Sequence, residues 1–479
     1  MSDTSQVLAT FQRIWGYSAF RPPQEEIVRT LLNGEDAIIV MPTGGGKSIS
    51  FQLPALLQTG LTLVISPLVA LMENQVQELR EKNLPAALLH NEVPKFQRKK
   101  TLESIERQNL RLLYLSPETL LSSAVWEKLT LSHVKINGLI LDEAHCLTQW
   151  GDSFRPTYRR LGTVRPALLQ CKPAGTRIAI AAFTATANPT TRETLARVLQ
   201  LQNPKLFLLD PYRKNLDLNT KICISPRCRR HQLLHSLRGK PRRSGLIYTR
   251  SRRESENLAT WLESMDYRVR AYHAGLSPTR RREIETRWLS GDLLFVVCTS
   301  AFGMGINKAD VRWIIHYHAP SLLSEYLQEV GRGGRDGETM EALTLISEPT
   351  GWLDNSDRQL RDFFKNQREE QYRQALRISR QIPGEGDINR INEEFPDGAI
   401  ALALLHGLDR LEWLDPFRYR LISSDSLPKF SINRRDEMVS YLYTRQCRWC
   451  FLLNAFGFEE RGIDFHCGHC DNCRKWRRD

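Results

Sequence analysis

The stretch MPTGGGKS, Met41 to Ser48, decides the fold of this chain. It follows the apolar run Ala37–Val40 and precedes a helix-like segment, and a buried strand, a glycine turn and a helix in this order are typical of a phosphate-binding loop. Because glycine has no Cβ, the backbone N–H groups of such a loop can close around an anion, while a lysine reaches the β- and γ-phosphates and a serine hydroxyl holds Mg²⁺. The predicted nucleotide contacts are Thr43, Gly44, Gly45, Gly46, Lys47 and Ser48.

Strand-like segments alternate with helix-like segments along most of the chain. In the first half an amphipathic helix is predicted over residues 11–33, and strands are predicted over 61–66, 111–116, 138–142 and 177–187. A second series begins near Asn219, with predicted strands over 244–249, 268–275, 292–300 and 311–320. This alternation predicts parallel sheets covered by helices on both faces. We therefore expect an α/β protein with two similar halves, of which only the first has a phosphate loop.

Two acidic residues end a predicted strand of the first half. Asp142 and Glu143 follow an apolar run and precede Ala144 and His145. At the carboxyl end of a strand beside a phosphate loop, Asp142 is well placed to hold Mg²⁺. Glu143 is predicted to orient or deprotonate the water that attacks the γ-phosphate. A surface pair of acidic residues is the alternative interpretation.

Residues 146–162 are dense in aromatic and arginine side chains. Rings interleaved with cations suit single-stranded bases and phosphates, and rings buried in the core are the alternative. The side chains concerned are Trp150, Phe154, Arg155, Tyr158, Arg159 and Arg160.

The second half ends in the arginine- and glycine-rich sequence QEVGRGGRDG, residues 328–337. Arg332 and Arg335 stand three residues apart and can be presented to a nucleotide held by the first half. An arginine in that role is worth roughly 10³–10⁵ in rate, because it neutralises charge that develops on the transferred phosphate. A solvated loop is the alternative.

The last third of the chain changes in character. Residues 352–381 predict one long charged helix or a pair of helices that connects domains, and residues 382–386 predict a linker. The helices and short strand pair expected next suit a small winged-helix-like module, with a helical hairpin that has no role in DNA binding as the alternative.

Five of the ten cysteines lie between residues 447 and 473. Thiols at this spacing in a reducing compartment predict Zn²⁺, which takes four ligands. Spacing alone leaves open which cysteine is spare, and whether His466 or His469 replaces one of them.

Composition narrows the class of protein further. The 479 residues are 41% hydrophobic and 25% charged, as expected for a globular protein of about three domains. A net charge of +13 predicts a polyanionic partner. No signal-peptide layout and no apolar run of about 18–20 residues is present, so we expect a cytoplasmic protein without a membrane partner.

Together these motifs resemble the RecQ family of DNA helicases, within helicase superfamily two. The matching segments run in the family's order over residues 16–337, and the cysteine run CGHCDNC extends the match. The aromatic-rich segment after DEAH and the segment AFGMGINKADVR are specific to this family within the superfamily. The matching segments are FRPPQ, MPTGGGKS, SPLVALMENQ, YLSPETL, DEAHCLTQWGDSFRPTY, FTATA, GLIYTRS, YHAGL, CTSAFGMGINKADVRWIIHYHAP and QEVGRGGRDG.

The resemblance implies a role for each matching residue. Adenine recognition falls to Phe20, Arg21 and Gln24, and Gln328 lies near the nucleotide. Arg335 is the arginine finger, with Arg332 as a supporting γ-phosphate contact. Coupling between nucleotide and DNA falls to His145 and Gln149, with DNA contacts from Trp150, Phe154 and Arg155. Tyr158 is a candidate DNA contact from the aromatic-rich pattern alone. The zinc ligands implied are Cys447, Cys467, Cys470 and Cys473, which leaves Cys450 as the extra cysteine.

The expected architecture is two RecA-like parallel-sheet lobes, then a helical and winged-helix-like segment, then a small zinc-binding module. The predicted domains are lobe 1 (1–210), lobe 2 (211–347), a helical connector (348–383), the winged-helix-like module (384–432) and the zinc module (433–479). The order departs from the family, in which the zinc module usually follows the second lobe directly and a winged helix comes after it. The resemblance therefore does not say which element splits a duplex here.

The function implied is that of an ATP-dependent DNA helicase that moves 3′ to 5′ in DNA recombination and repair, with ATP, Mg²⁺ and Zn²⁺ bound. The expected partners are single-stranded DNA and tailed or forked duplexes, with single-strand-binding protein and other repair factors as further candidates. We expect a monomer in the cytoplasm, associated with the nucleoid. The alternatives are an RNA helicase, a double-stranded DNA translocase and a DNA-binding scaffold with vestigial ATPase activity.

Overall fold

The computed structural model describes residues 4–42, 44–148, 155–240, 243–302, 308–422, 436–459 and 465–476. Four predicted site residues lie outside this part of the chain: Thr43, Gln149, Trp150 and Phe154. The chain separates into two compact units. One contains Met1–Leu209 with Asn366–Ser431, and the other contains Asp210–Lys365 with Ile432–Asp479.

The first lobe is built on a seven-stranded parallel sheet. Its strands are β1 (Ala37–Val40), β2 (Leu61–Ile65), β3 (Ala86–Leu89), β4 (Leu112–Leu115), β5 (Ile136–Leu141), β6 (Ala179–Thr184) and β7 (Lys205–Leu208). They lie in the order β3-β4-β2-β5-β6-β1-β7, so β1, β6 and β5 are neighbours. Strands β3 and β7 were not predicted from the sequence.

Helices cover both faces of this sheet. They are α1 (Thr4–Trp15), α2 (Gln24–Leu32), α3 (Lys47–Leu57), α4 (Val69–Glu81), α5 (Lys95–Glu106), α6 (Pro117–Leu120), α7 (Ser123–Thr130), α8 (Val164–Gln170) and α9 (Pro189–Val198), with 3-10 helices at Ala144–Leu147 and Pro156–Thr163. The prediction of one helix over residues 11–33 is wrong. α1 ends at Trp15, where Gly16 follows with a φ of 76°. Pro22 and Pro23 have no N–H to donate, and α2 begins directly after them.

The second lobe repeats the design with a six-stranded parallel sheet. Its strands are β8 (Leu216–Cys223), β9 (Gly245–Tyr248), β10 (Val269–Tyr272), β11 (Phe295–Cys298), β12 (Trp313–His316) and β13 (Met340–Ser347), in the order β10-β11-β9-β12-β13-β8. Its helices are α10 (Pro226–Arg238), α11 (Arg252–Glu263), α12 (Pro278–Leu289) and α13 (Leu323–Val330). The predicted strands of this half end at residue 320, so β13 was not predicted from the sequence.

A 24-residue helix, α14 (Ser356–Ser379), follows the second lobe and confirms the predicted long helix. Its C-terminal half packs onto a module of α15 (Ile388–Glu394), α16 (Gly398–Gly407) and the antiparallel strands β14 (Glu385–Asp387), β15 (Leu411–Trp413) and β16 (Arg418–Leu421). The strand order is β14-β16-β15. Two helices and a small antiparallel sheet match the winged-helix-like arrangement expected from the sequence. We call residues 384–422 the wing module.

The zinc module contains α17 (Glu437–Tyr443), α18 (Arg448–Ala455) and α19 (Asp471–Trp476). It packs against β8, the edge strand of the second sheet. Trp449 Nε1 donates to Leu216 O at 3.1 Å, and Asp471 Oδ2 accepts from Thr220 N at 3.0 Å. In the described parts of the chain, no helix is both long and apolar enough to cross a membrane. The predicted domain bounds stay a prediction.

Candidate nucleotide, DNA and zinc sites

The phosphate loop joins β1 to the N-terminus of α3. Gly44 and Gly46 both have positive φ, 84° and 80°, a conformation that side chains with a Cβ rarely adopt. A Cβ on Gly46 would also lie only 2.2 Å from Gln24 Nε2. The glycines are therefore required by backbone geometry, and the helix behind them directs its positive end at the loop.

Lys47 begins α3 and directs a buried amine at the acidic residues after β5. Its Nζ lies 3.7 Å from Glu143 Oε1 and has no hydrogen-bond partner among the described residues. A buried ammonium without hydrogen bonds is costly unless a ligand supplies acceptors. Phosphate oxygens are acceptors of this kind, so the site fits ATP.

Asp142 and Glu143 are both buried at the end of β5. Burial, and then the charge of Glu143, raise the pKa of Asp142 to about 6, while Lys47 acts in the opposite direction. Two adjacent buried carboxylates favour a bound cation, because it offsets both burial and their mutual repulsion. With the Ser48 hydroxyl in the first turn of α3, this donor set fits Mg²⁺.

A hydrogen-bonded chain leads away from Glu143 through the sheet. His145 Nδ1 lies 3.3 Å from Glu143 Oε2 and 3.1 Å from Thr184 Oγ1. Thr184 in turn accepts a hydrogen bond from Thr186 N and donates one to Thr186 O. Thr184 was not predicted as a site residue, although the motif FTATA at the end of β6 contains it.

The three residues expected at adenine lie at the start of α2, with Phe20 and Arg21 before the helix and Gln24 as its first residue. Gln24 is buried, its Nε2 donates to Gly46 O at 3.3 Å, and its Oε1 accepts from Arg21 N at 2.9 Å. Phe20 stacks on Phe11 with ring centroids 4.2 Å apart. Gln24 is thus tied to the phosphate loop, and adenine recognition stays a prediction for all three residues.

The structure describes the aromatic-rich stretch from residue 155 onward, and this part corrects the prediction for Tyr158. Tyr158 is fully buried in the core of the first lobe, so its ring has no surface to offer a base. Arg159 and Arg160 are buried as well. Arg155 remains partly exposed, and its Nη2 donates to Pro67 O at 2.9 Å. The prediction of a DNA contact is therefore wrong for Tyr158, because packing inside the lobe takes up its ring.

In the second lobe, three arginines gather at the turn after α13. Arg213 Nη1 donates to Gly331 O at 3.3 Å, and its Nη2 donates to Gly334 O. Burial, then Arg332 and Arg213, lower the pKa of Arg335 to about 10. An anion would relieve this repulsion, so the cluster fits a phosphate group. Arg213 was missed because it stands over a hundred residues from the other two arginines; Gln328 lies on α13, as its place in the motif requires.

Gly333 lies in the same turn, three residues after the end of α13. A Cβ on Gly333 would lie 2.5 Å from Met340 Cγ. A side chain at position 333 would therefore collide with Met340, the first residue of β13.

Four cysteine sulfurs meet in the zinc module. The Sγ atoms of Cys447, Cys467, Cys470 and Cys473 all lie within 4.8 Å of one another. Backbone N–H groups of Cys467 and Cys470 donate to the sulfurs of Cys447 and Cys467, both at 3.3 Å. Four cysteine sulfurs this close together fit Zn²⁺, which takes four ligands in a tetrahedral arrangement. Cys450 lies outside the cluster, inside α18, where its sulfur accepts from Asn454 Nδ2 at 3.7 Å.

Comparisons with known proteins agree with this geometry. A DEAD/DEAH box helicase family model matches residues 21–195, a helicase conserved C-terminal domain model matches residues 228–337, and a RecQ zinc-binding model matches residues 419–474. The two parallel sheets are the RecA-like lobes of such helicases.

Relatives and solved structures extend the match. The chain is 50% identical over 477 residues to the ATP-dependent DNA helicase RecQ of Synechocystis, covering 99% of both chains. It is 37% identical to that of Pasteurella multocida over 72% of this chain, but spans only 53% of that relative. A Mycobacterium smegmatis helicase Lhr structure bound to single-stranded DNA and AMP-PNP has a TM-score of 0.55 at 22% identity, covering 72% of this chain and 47% of that chain. A Saccharomyces cerevisiae Dbp5 structure bound to RNA and ADP BeF3 has a TM-score of 0.57 at 17% identity, covering 72% and 88%.

The fold and the two charged clusters define a two-lobed helicase with a phosphate loop. The full-length similarity and the zinc-binding match identify it further: this chain belongs to the RecQ family.

Proposed function

We propose that this chain is an ATP-dependent DNA helicase that hydrolyses ATP beside Lys47 and moves 3′ to 5′ along one DNA strand as it unwinds duplexes in recombination and repair. The observation that carries the proposal is the buried Lys47 amine, which faces Glu143 and lacks a hydrogen-bond partner among the described residues. The direction rests on the family resemblance.

Each step of hydrolysis has a residue suited to it. Lys47 and the loop N–H groups bind the phosphates, and Ser48 and Asp142 would hold Mg²⁺, which neutralises phosphate charge when bound. Glu143 orients the attacking water or takes its proton. Arg335, supported by Arg332, compensates the charge that develops on the γ-phosphate, and Gln24 holds the loop in place near adenine.

Coupling to DNA follows the chain from Glu143 to Thr184. A change at the γ-phosphate alters what Glu143 binds, and His145 is within hydrogen-bond reach of both Glu143 and Thr184. Gln149, Trp150, Phe154 and Arg155 are proposed to pass that change to single-stranded DNA, with Trp150 and Phe154 stacking on bases. Substituting Trp150 by alanine should preserve basal ATPase activity and reduce its stimulation by single-stranded DNA.

We propose that the protein acts on nucleic acid in the cytoplasm. Single-stranded and tailed or forked DNA are the proposed ligands, single-strand-binding protein and repair factors are proposed partners, and the proposed state is a monomer at the nucleoid. The zinc module is proposed to bind one Zn²⁺ through its four clustered cysteines.

An unwinding assay tests the function. The purified chain is offered 3′-tailed, 5′-tailed and blunt DNA duplexes and a 3′-tailed RNA duplex, with Lys47→Ala as the inactive control. We expect ATP-dependent separation of the 3′-tailed DNA alone. Preference for the 5′ tail would overturn the direction, separation of the RNA duplex would favour an RNA helicase, and ATPase stimulated by blunt duplex without separation would favour a translocase.

A further inference from the structure

The hairpin turn of the wing module is covered by the first lobe. The turn, residues 414–417, joins β15 to β16, and Phe417 packs against the core of the first lobe. Its ring meets Trp126 of α7 edge-on, with centroids 5.4 Å apart and planes at 79°. Asp415 fixes the turn by accepting hydrogen bonds from the backbone N–H groups of Phe417 and Arg418, both at 2.8 Å.

Arg160 of the first lobe depends on that turn for its polar contacts. Its Nη1 donates to Pro416 O at 3.1 Å, and its guanidinium lies 5.9 Å from the ring centre of Trp413. The side chain is buried, and burial lowers its pKa to about 10. Among the described residues it has no ion-pair partner. A buried cation without its acceptors is strongly unfavourable, so Arg160 favours the docked module.

Two further arginines of the first lobe contact the same face. Arg159 is buried with its guanidinium against Gly407, where an added Cβ would lie 3.5 Å from Nη2. Arg197 pairs with Asp409, in the loop after α16. The lobe thus contributes the cations, and the module contributes carbonyl, aromatic and carboxylate partners.

The surface that the module covers lies between the two functional segments of the first lobe. Helix α16 packs on the 3-10 helix Pro156–Thr163, which carries Arg159 and Arg160. That helix begins two residues after the stretch 149–154 proposed to meet DNA. It also packs against the 3-10 helix Ala144–Leu147, which follows the catalytic carboxylates. Movement of Pro156–Thr163 would therefore displace residues on both sides.

An element that separates the strands of a duplex (a wedge) needs a tip that can reach the fork. In the wing module that tip would be the turn 414–417, which is packed against the first lobe. The solvent-facing cations of the hairpin, Arg418 and Arg420, are already paired with Asp415 and Glu385. We propose that the wing module is not the wedge, and that it positions the DNA-coupling segment by holding Pro156–Thr163 through Phe417 and Arg160. This inference rests on the proposed DNA-stimulated ATPase activity and adds a positioning role for these two residues.

The test compares covered and exposed residues of one hairpin. Phe417→Ala and Arg160→Met should keep basal ATPase activity within about twofold, since neither touches nucleotide, and raise the DNA concentration for half-maximal stimulation about tenfold. Phe417→Leu keeps an apolar contact and should stay close to the parent. Hydrogen exchange of the peptide covering residues 156–163 should accelerate in Phe417→Ala and not in Phe417→Leu.

The matched control is the double variant Arg418→Ala/Arg420→Ala on the exposed side of the same hairpin. It should leave DNA stimulation and unwinding per ATP unchanged. A loss of unwinding per ATP in this control, with stimulation intact, would show that the hairpin is a wedge and overturn the inference. Normal DNA stimulation in Phe417→Ala would overturn it as well. A parent without any DNA-stimulated ATPase activity would instead refute the proposed function on which it rests.

Discussion

At the scale of residues, the first lobe concentrates opposite charges in a buried volume. Lys47, Asp142 and Glu143 are drawn from the start of α3 and the end of β5, and only the sheet brings them together. In the second lobe, burial and then the charges of Arg332 and Arg213 lower the pKa of Arg335 to about 10. Both arrangements are costly without a ligand, which is expected of groups that bind phosphate and metal.

The first residue-scale prediction concerns Glu143. Glu143→Gln keeps the size of the side chain but removes the carboxylate that orients water, so kcat for ATP hydrolysis should fall about 10²–10⁴-fold. ATP affinity should remain close to the parental value, whereas Lys47→Ala should lose it. Equilibrium binding and steady-state hydrolysis measure the two effects separately. Near-parental turnover in Glu143→Gln would show that another residue orients the water.

The second residue-scale prediction concerns Arg335. Arg335→Ala should lower kcat by about 10³-fold and change ATP affinity by less than several-fold, because the guanidinium acts on charge that develops during transfer. Arg335→Lys retains a charge without the planar fork and should recover only part of the rate. A loss of affinity with normal kcat would assign Arg335 to ground-state binding.

At the scale of elements, α18 separates Cys447 from Cys450, two cysteines that stand three residues apart. Cys447 precedes the helix and directs its sulfur at the cluster, whereas Cys450 is one turn further on, inside α18. Cys467 and Cys470 lie in the segment before α19, and Cys473 lies in the first turn of that helix. Helix geometry therefore selects among five similar cysteines.

The element-scale prediction follows from this selection. Cys450→Ser should retain one zinc per chain, and Cys470→Ser should lose it, because a structural zinc contributes roughly 10–16 kcal/mol of apparent binding energy. Metal analysis of the purified variants decides between them, with exposed Cys171→Ser as a control far from the cluster in sequence. Zinc-free Cys450→Ser beside zinc-loaded Cys470→Ser would reverse the ligand assignment.

At the scale of the whole molecule, the two small modules belong to different units. The wing module is grouped with the first lobe and the zinc module with the second, although they are neighbours in sequence. The zinc module is bound to β8 through Trp449 and through Asp471, which also pairs with Arg448 inside the module. We therefore expect zinc binding to stabilise the sheet of the second lobe.

The prediction at this scale is an unequal response to a chelator. Calorimetry of a chain with two units should show more than one transition. Removing zinc should lower the transition of the second unit and leave that of the first unit unchanged, and the Cys470→Ser variant should reproduce the effect without chelator. An equal shift of both transitions would contradict this division of stability.

Much of the site could be predicted from contiguous sequence. The phosphate loop, the pair Asp142–Glu143, the cysteine run and Arg332 with Arg335 are each set by spacing over a few residues. Such motifs carry their own geometry, because a glycine turn or the end of a strand has few conformations. The alternation of strands and helices likewise predicted the α/β class, but not the short strands β3, β7 and β14.

Only the tertiary structure decided which residues that are far apart in the sequence come into contact. The sequence made Tyr158 a candidate for DNA stacking, and packing inside the first lobe buried it. In the sequence, Arg160 is one more arginine of the same stretch. In the structure, its hydrogen-bond acceptor is Pro416 O of the wing module, some 250 residues later. Thr184 and Arg213 are likewise distant in the sequence from the residues beside which they lie in the two charged clusters. Burial depends on which distant surfaces meet, and local patterns of residues do not contain that information.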